Sequence, residues 1–431
     1  MSTRRRFLQT STLAAGGLLA GRPVSARPSW HDEGLATEDL IAAAAEPVLI
    51  ADRLPADPVE IASMDLLRNG GQWLVRVRST DGAEGLAVGH GGILEQAYPI
   101  FNARLPHRYV GTDARDLEAT LEAIYQAPLG SRGRGGAASN YKWQGLPFWV
   151  AFASAELAVL DLLGQVAGRN VTELIGDGRV RDEVAVYRAS SARTNTAEEE
   201  VAKFERWVDD LGARAIKHRL GARMGVSDFS EARDRAIVPL MRRTFPDLTL
   251  YADANGSYDV ASGREATRFL ADHGYGFLEE PVPFDYYDET RAVTAEAALP
   301  ISGGEQESSL RQFLWMIDHR AVDITQPDLF YFGGLTRSIR VARASRLAGM
   351  DCTPHISGYG LGFLYAALFA ACVENAGPYH EYKGIDDDLP AEAVGGRFEP
   401  RDGVIQVPTG PGLGVALDPD WVAAARPVTA C

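Results

Sequence analysis

Cysteine is scarce in this chain, and positive charge falls short of negative. The three cysteines, Cys352, Cys372 and Cys431, are odd in number, widely spread and free of any CxxC pair. That excludes a disulfide framework and a zinc site, and leaves them as small buried apolar residues. Lysine and arginine number 43 against 58 acidic residues, a formal charge of −15. With no basic surplus to neutralise phosphates, nucleic acid and anionic membrane surfaces drop out as partners. No internal repeat is detectable. What remains is a soluble, acidic chain of 431 residues, long enough for a barrel of roughly 250 residues and a second domain.

The first residues are of a different kind. Thr3-Arg4-Arg5-Arg6-Phe7-Leu8-Gln9 precedes an apolar run from Leu13 to Ala20, too short to span a bilayer, and a small-residue site at Val24-Ser25-Ala26. The pattern resembles a twin-arginine export signal, which implies removal of residues 1–26 and a periplasmic or exported protein. Residues 27–46 read as a polar, alanine-rich connection. From 47 to 168 the text gives strands at Val59–Leu67, Trp73–Val77 and Ala83–Val88, with a turn at Ser79-Thr80-Asp81-Gly82 between the last two. Helical stretches follow at Ala114–Tyr125 and Phe148–Val166, which together predict a small α+β domain. Gly130–Tyr141 is rich in glycine and serine and reads as a loop.

Against these absences stands one strong regularity. Asp253, Glu279, Glu305, Asp328, His355 and Glu381 are separated by 26, 26, 23, 27 and 26 residues, the length of one strand-plus-helix unit. Each closes an apolar run that reads as a strand: LTLYAD, GFLE, ISGGE, ITQPD, MDCTPH and YHE. With Glu183–Ala189 and Ala215–Leu220 ahead of them there are eight strands, separated by seven amphipathic helical stretches. Right-handed crossovers make a closed parallel barrel the expected fold over residues 169–385, with its chemistry at the C-terminal strand ends. Residues 386–431 are expected to return to the first domain.

Asp253, Glu279 and Glu305 close three successive strands, and three carboxylates cannot stay ionised together without a cation. Hard oxygens in an open set suit Mg²⁺. In the pair Glu279-Glu280, alternation sends one side chain inward, and Glu279 is taken as the ligand. Asn255, two residues past Asp253, either contacts the surroundings of the metal or caps a loop. Alternation also places Lys217 and Arg219 on one face of their strand and His218 on the other. A lysine beside Mg²⁺ has its neutral form favoured and could serve as a base. Asp328 could accept from one imidazole nitrogen of His355 and leave the other as a general base. Glu381 could be a protonated acid or a donor to a developing enolate oxygen, or simply face solvent. Arg68 and His90, in Arg68-Asn69-Gly70-Gly71 and His90-Gly91-Gly92, are either substrate contacts or ordinary loop residues.

AIKHR, YADANGSY, FLEEPVPF, SGGEQ, QPDLFYFGG and TPHIS, in this order and spacing, resemble the enolase superfamily, and the Asp-His pair resembles its mandelate racemase subgroup. Asp161-Leu162-Leu163-Gly164, leading to Leu174-Ile175-Gly176, is similar to the helix joining capping domain and barrel there. The resemblance implies an α/β fold, a modified (β/α)7β TIM barrel under an α+β capping domain. It also implies Mg²⁺ on Asp253, Glu279 and Glu305, a base dyad of Asp328 and His355, and Glu381 stabilising an enediolate. One position departs: the subgroup has Lys-x-Lys where this chain has Lys217-His218-Arg219, and arginine is a poor base and a good carboxylate clamp. Racemisation needs two bases on opposite faces, whereas dehydration can use His355 alone, first as base and then as acid. The expected activity is therefore Mg²⁺-dependent dehydration of an acid sugar to a 2-keto-3-deoxy acid. Epimerisation, racemisation and lactone cycloisomerisation through the same enediolate are alternatives, as is a non-catalytic exported sugar-acid-binding protein. The expected partner is a small carboxylate, and a closed homo-oligomer is the common assembly.

Overall fold

The computed structural model describes residues 36–126, 145–225, 230–357, 361–383 and 399–429. The proposed signal and the Gly130–Tyr141 loop lie outside these residues. A helix, α1 (Thr37–Ala45), occupies part of the segment read as a plain connection. Its period went unnoticed because only Leu40 and Ala44 are fully buried, too few to mark a face.

Three antiparallel strands, β1 (Ile61–Asn69), β2 (Gln72–Ser79) and β3 (Glu84–Val88), form the core of the first domain. Between β1 and β2 the two-residue turn Gly70-Gly71 needs a left-handed step, and Gly70 supplies it at φ +58°. Helices α2 (Gly91–Arg104), α3 (Pro106–Tyr109), α4 (Leu117–Gln126), α5 (Leu146–Ala167) and α6 (Val171–Leu174) follow. His90-Gly91-Gly92, read as a loop, is instead the start of α2, with His90 as its cap. Two glycines at the opening and Pro99 inside the helix hid it, since both weaken helical propensity. Helix α5 is long and apolar enough to cross a membrane, but 89% of its most apolar stretch is buried inside the fold. It packs so closely on β3 that a β-carbon at Gly85 would stand 2.3 Å from the Ala158 carbonyl oxygen.

Among the described residues, eight parallel strands alternate with seven helices in the second domain: β4 (Glu183–Ala189), α7 (Ala197–Leu211), β5 (Ala215–Arg219), α8 (Glu231–Thr244), β6 (Thr249–Asp253), α9 (Val260–Asp272), β7 (Phe277–Glu279), α10 (Tyr287–Glu296), β8 (Ile301–Gly303), α11 (Leu310–Asp318), β9 (Ile324–Thr325), α12 (Leu335–Leu347), β10 (Asp351–Cys352), α13 (Gly362–Ala371) and β11 (His380–Tyr382). The curled sheet runs in the order β11-β4-β5-β6-β7-β8-β9-β10. Strands β9 and β10 are shorter than their apolar runs because Pro327 and Pro354 lack the amide that would continue the ladder. Pairing resumes beyond them in a bridge between Asp328 and His355. Helix α1 packs on α11 and α12, which attaches the N-terminal segment to the outside of the barrel.

The C-terminal segment serves both domains. Strand β12 (Val404–Gln406) runs antiparallel along β4, so this stretch stays on the barrel instead of returning at once to the first domain. Helix α14 (Pro419–Ala424) follows, and β13 (Arg426–Pro427) then joins the capping sheet beside β1, pairing Leu67 with Pro427.

Candidate active site

Alternation along the strands builds the barrel interior in two layers. Tyr187 of β4, Tyr251 of β6 and Phe277 of β7 form an aromatic plug, with Tyr251 and Phe277 stacked at 3.9 Å and Tyr187 edge-on to Tyr251 at 5.4 Å. Two residues further along the same faces come Asp253 and Glu279, while Lys217 stands two residues past buried Ala215 on β5. The plug excludes water beneath them, and Lys217 Nζ lies 5.1 Å from the Tyr187 ring centre.

Asp253, Glu279 and Glu305 are all buried, and each offers one oxygen within 4.8 Å of the others. Oε2 of Glu305 and Oε1 of Glu280 are buried with no hydrogen-bond partner. Hard oxygens this close, that of Glu305 unsatisfied, fit a hard divalent cation. Glu280 corrects the alternation argument: β7 ends at Glu279, and at φ +41° the backbone of Glu280 re-aims its side chain. Its carboxylate is buried 3.4 Å from Asn255 Nδ2. Burial, with Glu305 and Glu279 nearby, holds its carboxyl well above the usual carboxylate range.

Lys217 spans this floor. Its ammonium lies 2.7 Å from both Glu279 oxygens, 3.2 Å from Glu381 Oε1 and 3.8 Å from Asp253 Oδ2. Burial alone would favour the neutral amine, but Glu279 and Glu381 overcome it and hold the lysine protonated. In this arrangement Lys217 is a positive charge held against two carboxylates rather than a neutral amine. Glu381 is corrected likewise: despite burial, Lys217, Lys383 and His355 hold it well below the usual range, so it is ionised rather than a protonated acid. Arg219 contacts Asp253 Oδ2, donates to Asn255 Oδ1 at 3.1 Å and reaches the Ser190 carbonyl at 3.1 Å. It thus clamps a carboxylate of the protein itself. His218 turns outward to Tyr275, 2.8 Å from its hydroxyl. Asn255 donates its backbone amide to Asp253 Oδ1 at 2.8 Å, placing it beside the triad.

The opposite wall carries the dyad. Oδ2 of Asp328 lies 2.7 Å from Nδ1 of His355 and accepts the Ser357 amide, while Oδ1 accepts the amides of Phe330 and Tyr331 and the Ser357 hydroxyl. So many donors outweigh burial and keep Asp328 ionised. The carboxylate fixes the proton on Nδ1 and leaves Nε2 as the nitrogen that can take up a proton. Nε2 lies 3.3 Å from Glu305 Oε2 and 3.4 Å from Glu381 Oε2. Burial lowers the basicity of His355, and those carboxylates with Asp328 more than restore it. Lys383 was missed. Its Nζ lies 3.3 Å from both His355 Nε2 and Glu381 Oε2, and it donates to the Ile356 carbonyl. Alternation from Glu381 would have found it, being two residues on along the same face.

Above the floor opens a cavity of about 900 Å³ lined from both domains. His90 accepts the Ile93 amide on Nδ1, which puts its proton on Nε2; that atom is buried without a partner on the cavity wall. Its ring meets Phe330 and Tyr331 at 5.5 and 5.7 Å, and burial keeps it neutral by lowering its pKa. Arg68 is not brought into the cavity. It is half exposed, paired with Glu95 at 2.8 Å and lying over Trp73.

The enolase C-terminal domain-like family matches residues 199–421, just over half of the chain. A D-galactarolactone cycloisomerase of Agrobacterium fabrum is 28% identical over 378 residues, spanning 84% of this chain and 93% of the relative. A D-xylonate dehydratase of Haloferax volcanii is 27% identical, spanning 81% and 84%. A mandelate racemase/muconate lactonizing protein of Paracoccus denitrificans, solved in complex with magnesium, superposes with a TM-score of 0.75 at 24% identity, covering 86% of this chain and 98% of its own. With the two-domain fold and the strand-end carboxylates in place, this chain belongs to the enolase superfamily.

Proposed function

We propose that this protein dehydrates an acid sugar to a 2-keto-3-deoxy acid, with Mg²⁺ held by Asp253, Glu279 and Glu305. The single observation that carries the reading is the pairing of one imidazole nitrogen able to accept a proton with one lysine held by carboxylates: Asp328 engages the Nδ1 side of His355, and Lys217 is tied to Glu279 and Glu381. When bound, Mg²⁺ would supply Lewis acidity at the substrate carboxylate. His355 Nε2 removes the proton α to that carboxylate, and Lys217, charged throughout, offsets the negative charge that develops as the C–H electron pair moves into the enediolate. Those electrons return to expel the β-hydroxyl, which takes the proton from His355 and leaves as water, and the enol then tautomerises to the 2-keto acid. One group serves as base and then as acid. Glu381 flanks Nε2 and stabilises the imidazolium between the two steps, while the charge on Lys383 favours return of the proton.

Cycloisomerisation through the same enediolate is the second reading, favoured by the relative of that name that spans most of this chain. Incubation of acid sugars with the Mg²⁺-loaded protein in D₂O separates the readings. Deuterium exchange at the α-carbon with release of 2-keto acid supports dehydration, exchange with lactone isomerisation supports the second, and no exchange with any acid sugar or lactone overturns both. Export through the twin-arginine route is part of the proposal, resting on residues 3–26. An intact Met1 on periplasmic protein would contradict it.

A further inference from the structure

Most charges around the cavity are already matched. Lys217, Arg219 and Lys383 face Glu279, Asp253 and Glu381, so the floor does not call on cations further out. Two such cations nonetheless stand on the wall built by the segment after β4 and by α7. Arg193 donates to Asn255 Oδ1 at 2.6 Å, yet its Nε is buried with no hydrogen-bond partner. Lys203 reaches the Ser190 hydroxyl at 3.1 Å and lies 4.7 Å from the Trp207 ring centre. Among the described residues neither forms an ion pair with a carboxylate, and both line the cavity. Like charge on Arg219, Arg223 and Arg233 adds to burial in lowering the pKa of Arg193 to about 10. Asp234 offsets this only in part, being itself paired with Arg233, and positive charge gathered and partly desolvated without a counter-ion of its own is costly unless a ligand supplies one.

We infer that the substrate carries a second anionic group, a terminal carboxylate at the end remote from the reacting carbon, held by Arg193 and Lys203. The substrate class is then the dicarboxylic sugar acids. A neutral aldonate tail offers only hydroxyls, which leave both cations without an opposite charge, whereas a carboxylate matches the planar guanidinium and the ammonium. The inference rests on the acid-sugar reading above and narrows it.

Matched pairs that differ only at C6, D-glucarate with D-gluconate and galactarate with D-galactonate, test it on the full-length Mg²⁺-loaded protein. Calorimetric binding and 2-keto acid formation are both read. The diacid should be preferred at least about ten-fold in Kd and, if turned over, in kcat/KM. Arg193→Gln and Lys203→Gln should each erode that preference, chiefly by raising KM for the diacid, and Lys203→Arg should retain it. Equal binding of both members of each pair, or a preference that survives in the double variant, overturns the inference. Tighter binding of 6-phosphogluconate than of glucarate would overturn the carboxylate assignment. Absence of turnover with every acid would count against dehydration, while the binding preference would still decide this point.

Discussion

The floor of the mouth and the wall above it use buried charge in opposite ways. On the floor Lys217, Glu279, Glu381, Asp328 and His355 each have a named partner in the protein, and the donors around Asp328 and the carboxylates around Lys217 leave them little freedom. On the wall, Arg193 Nε and His90 Nε2 are buried and unpartnered. A floor whose charges are paired by its own residues, apart from the Glu305 and Glu280 oxygens that lack hydrogen bonds, is preorganised for one reaction whatever chain length or stereochemistry arrives. A wall with unspent donors is completed only by a ligand. Reaction type is thus written in the floor and substrate choice in the wall.

The sharpest attempt to break this contrast is to empty the floor of its cation. Excess chelator should abolish turnover, and Glu305→Gln should weaken Mg²⁺ affinity at least about ten-fold by calorimetry; full activity in EDTA would show that the triad is merely structural. His355→Asn comes next. Product formation and α-carbon exchange should both fall roughly 10³-fold or more, and exchange that persists in D₂O would reveal a second base. Lys217→Met should be milder in rate, lowering kcat by about 10²-fold while measurable exchange persists. It should also cost about 3–5 kcal/mol of stability, because Glu279 and Glu381 would be left buried facing each other; an unchanged denaturant midpoint would mean that the floor relaxes more freely than its hydrogen bonds suggest.

The floor was also the legible part. Strand-end spacing pointed to Asp253, Glu279, Glu305, Asp328, His355 and Glu381, and the structure gathers all six at one mouth, because a parallel barrel converts a sequence period into a ring. The protonation states were not legible. Whether Lys217 is a base or a fixed charge depends on carboxylates 62 and 164 residues away in the chain, Glu279 and Glu381, which approach only after folding. Glu280 was misjudged because alternation holds only while the strand lasts, and β7 ends one residue earlier. The wall was nearly silent, since Arg193 and Lys203 follow no period. Arg68, chosen from its glycine-rich turn, proved to be paired with Glu95 and not to line the cavity itself.

The smallest effect lies where the two domains join. Glu156 of α5 is buried and accepts the amides of Leu335 and Thr336 and the Thr336 hydroxyl, and so caps α12 of the barrel from the capping domain. Despite those bonds, burial raises its pKa from near 4.5 to about 7. The folded protein therefore binds a proton more tightly there than the unfolded chain does. Its contribution is complete below about pH 4.5 and is lost as pH rises through about 7, so lowering the pH from 7 toward 5 should stabilise the fold. Asp161 on the same helix, raised by burial to about 6, acts in the same direction. Glu156→Gln should flatten this rise by on the order of 1 kcal/mol without removing it, since Asp161 remains. Melting temperatures at pH 5 and 7 for the two proteins read the difference. Because Glu156 touches neither floor nor wall, kcat of the folded variant should hardly move. A large fall in kcat would mean that the floor's geometry depends on how the capping domain is docked, and the floor could no longer be treated as self-sufficient.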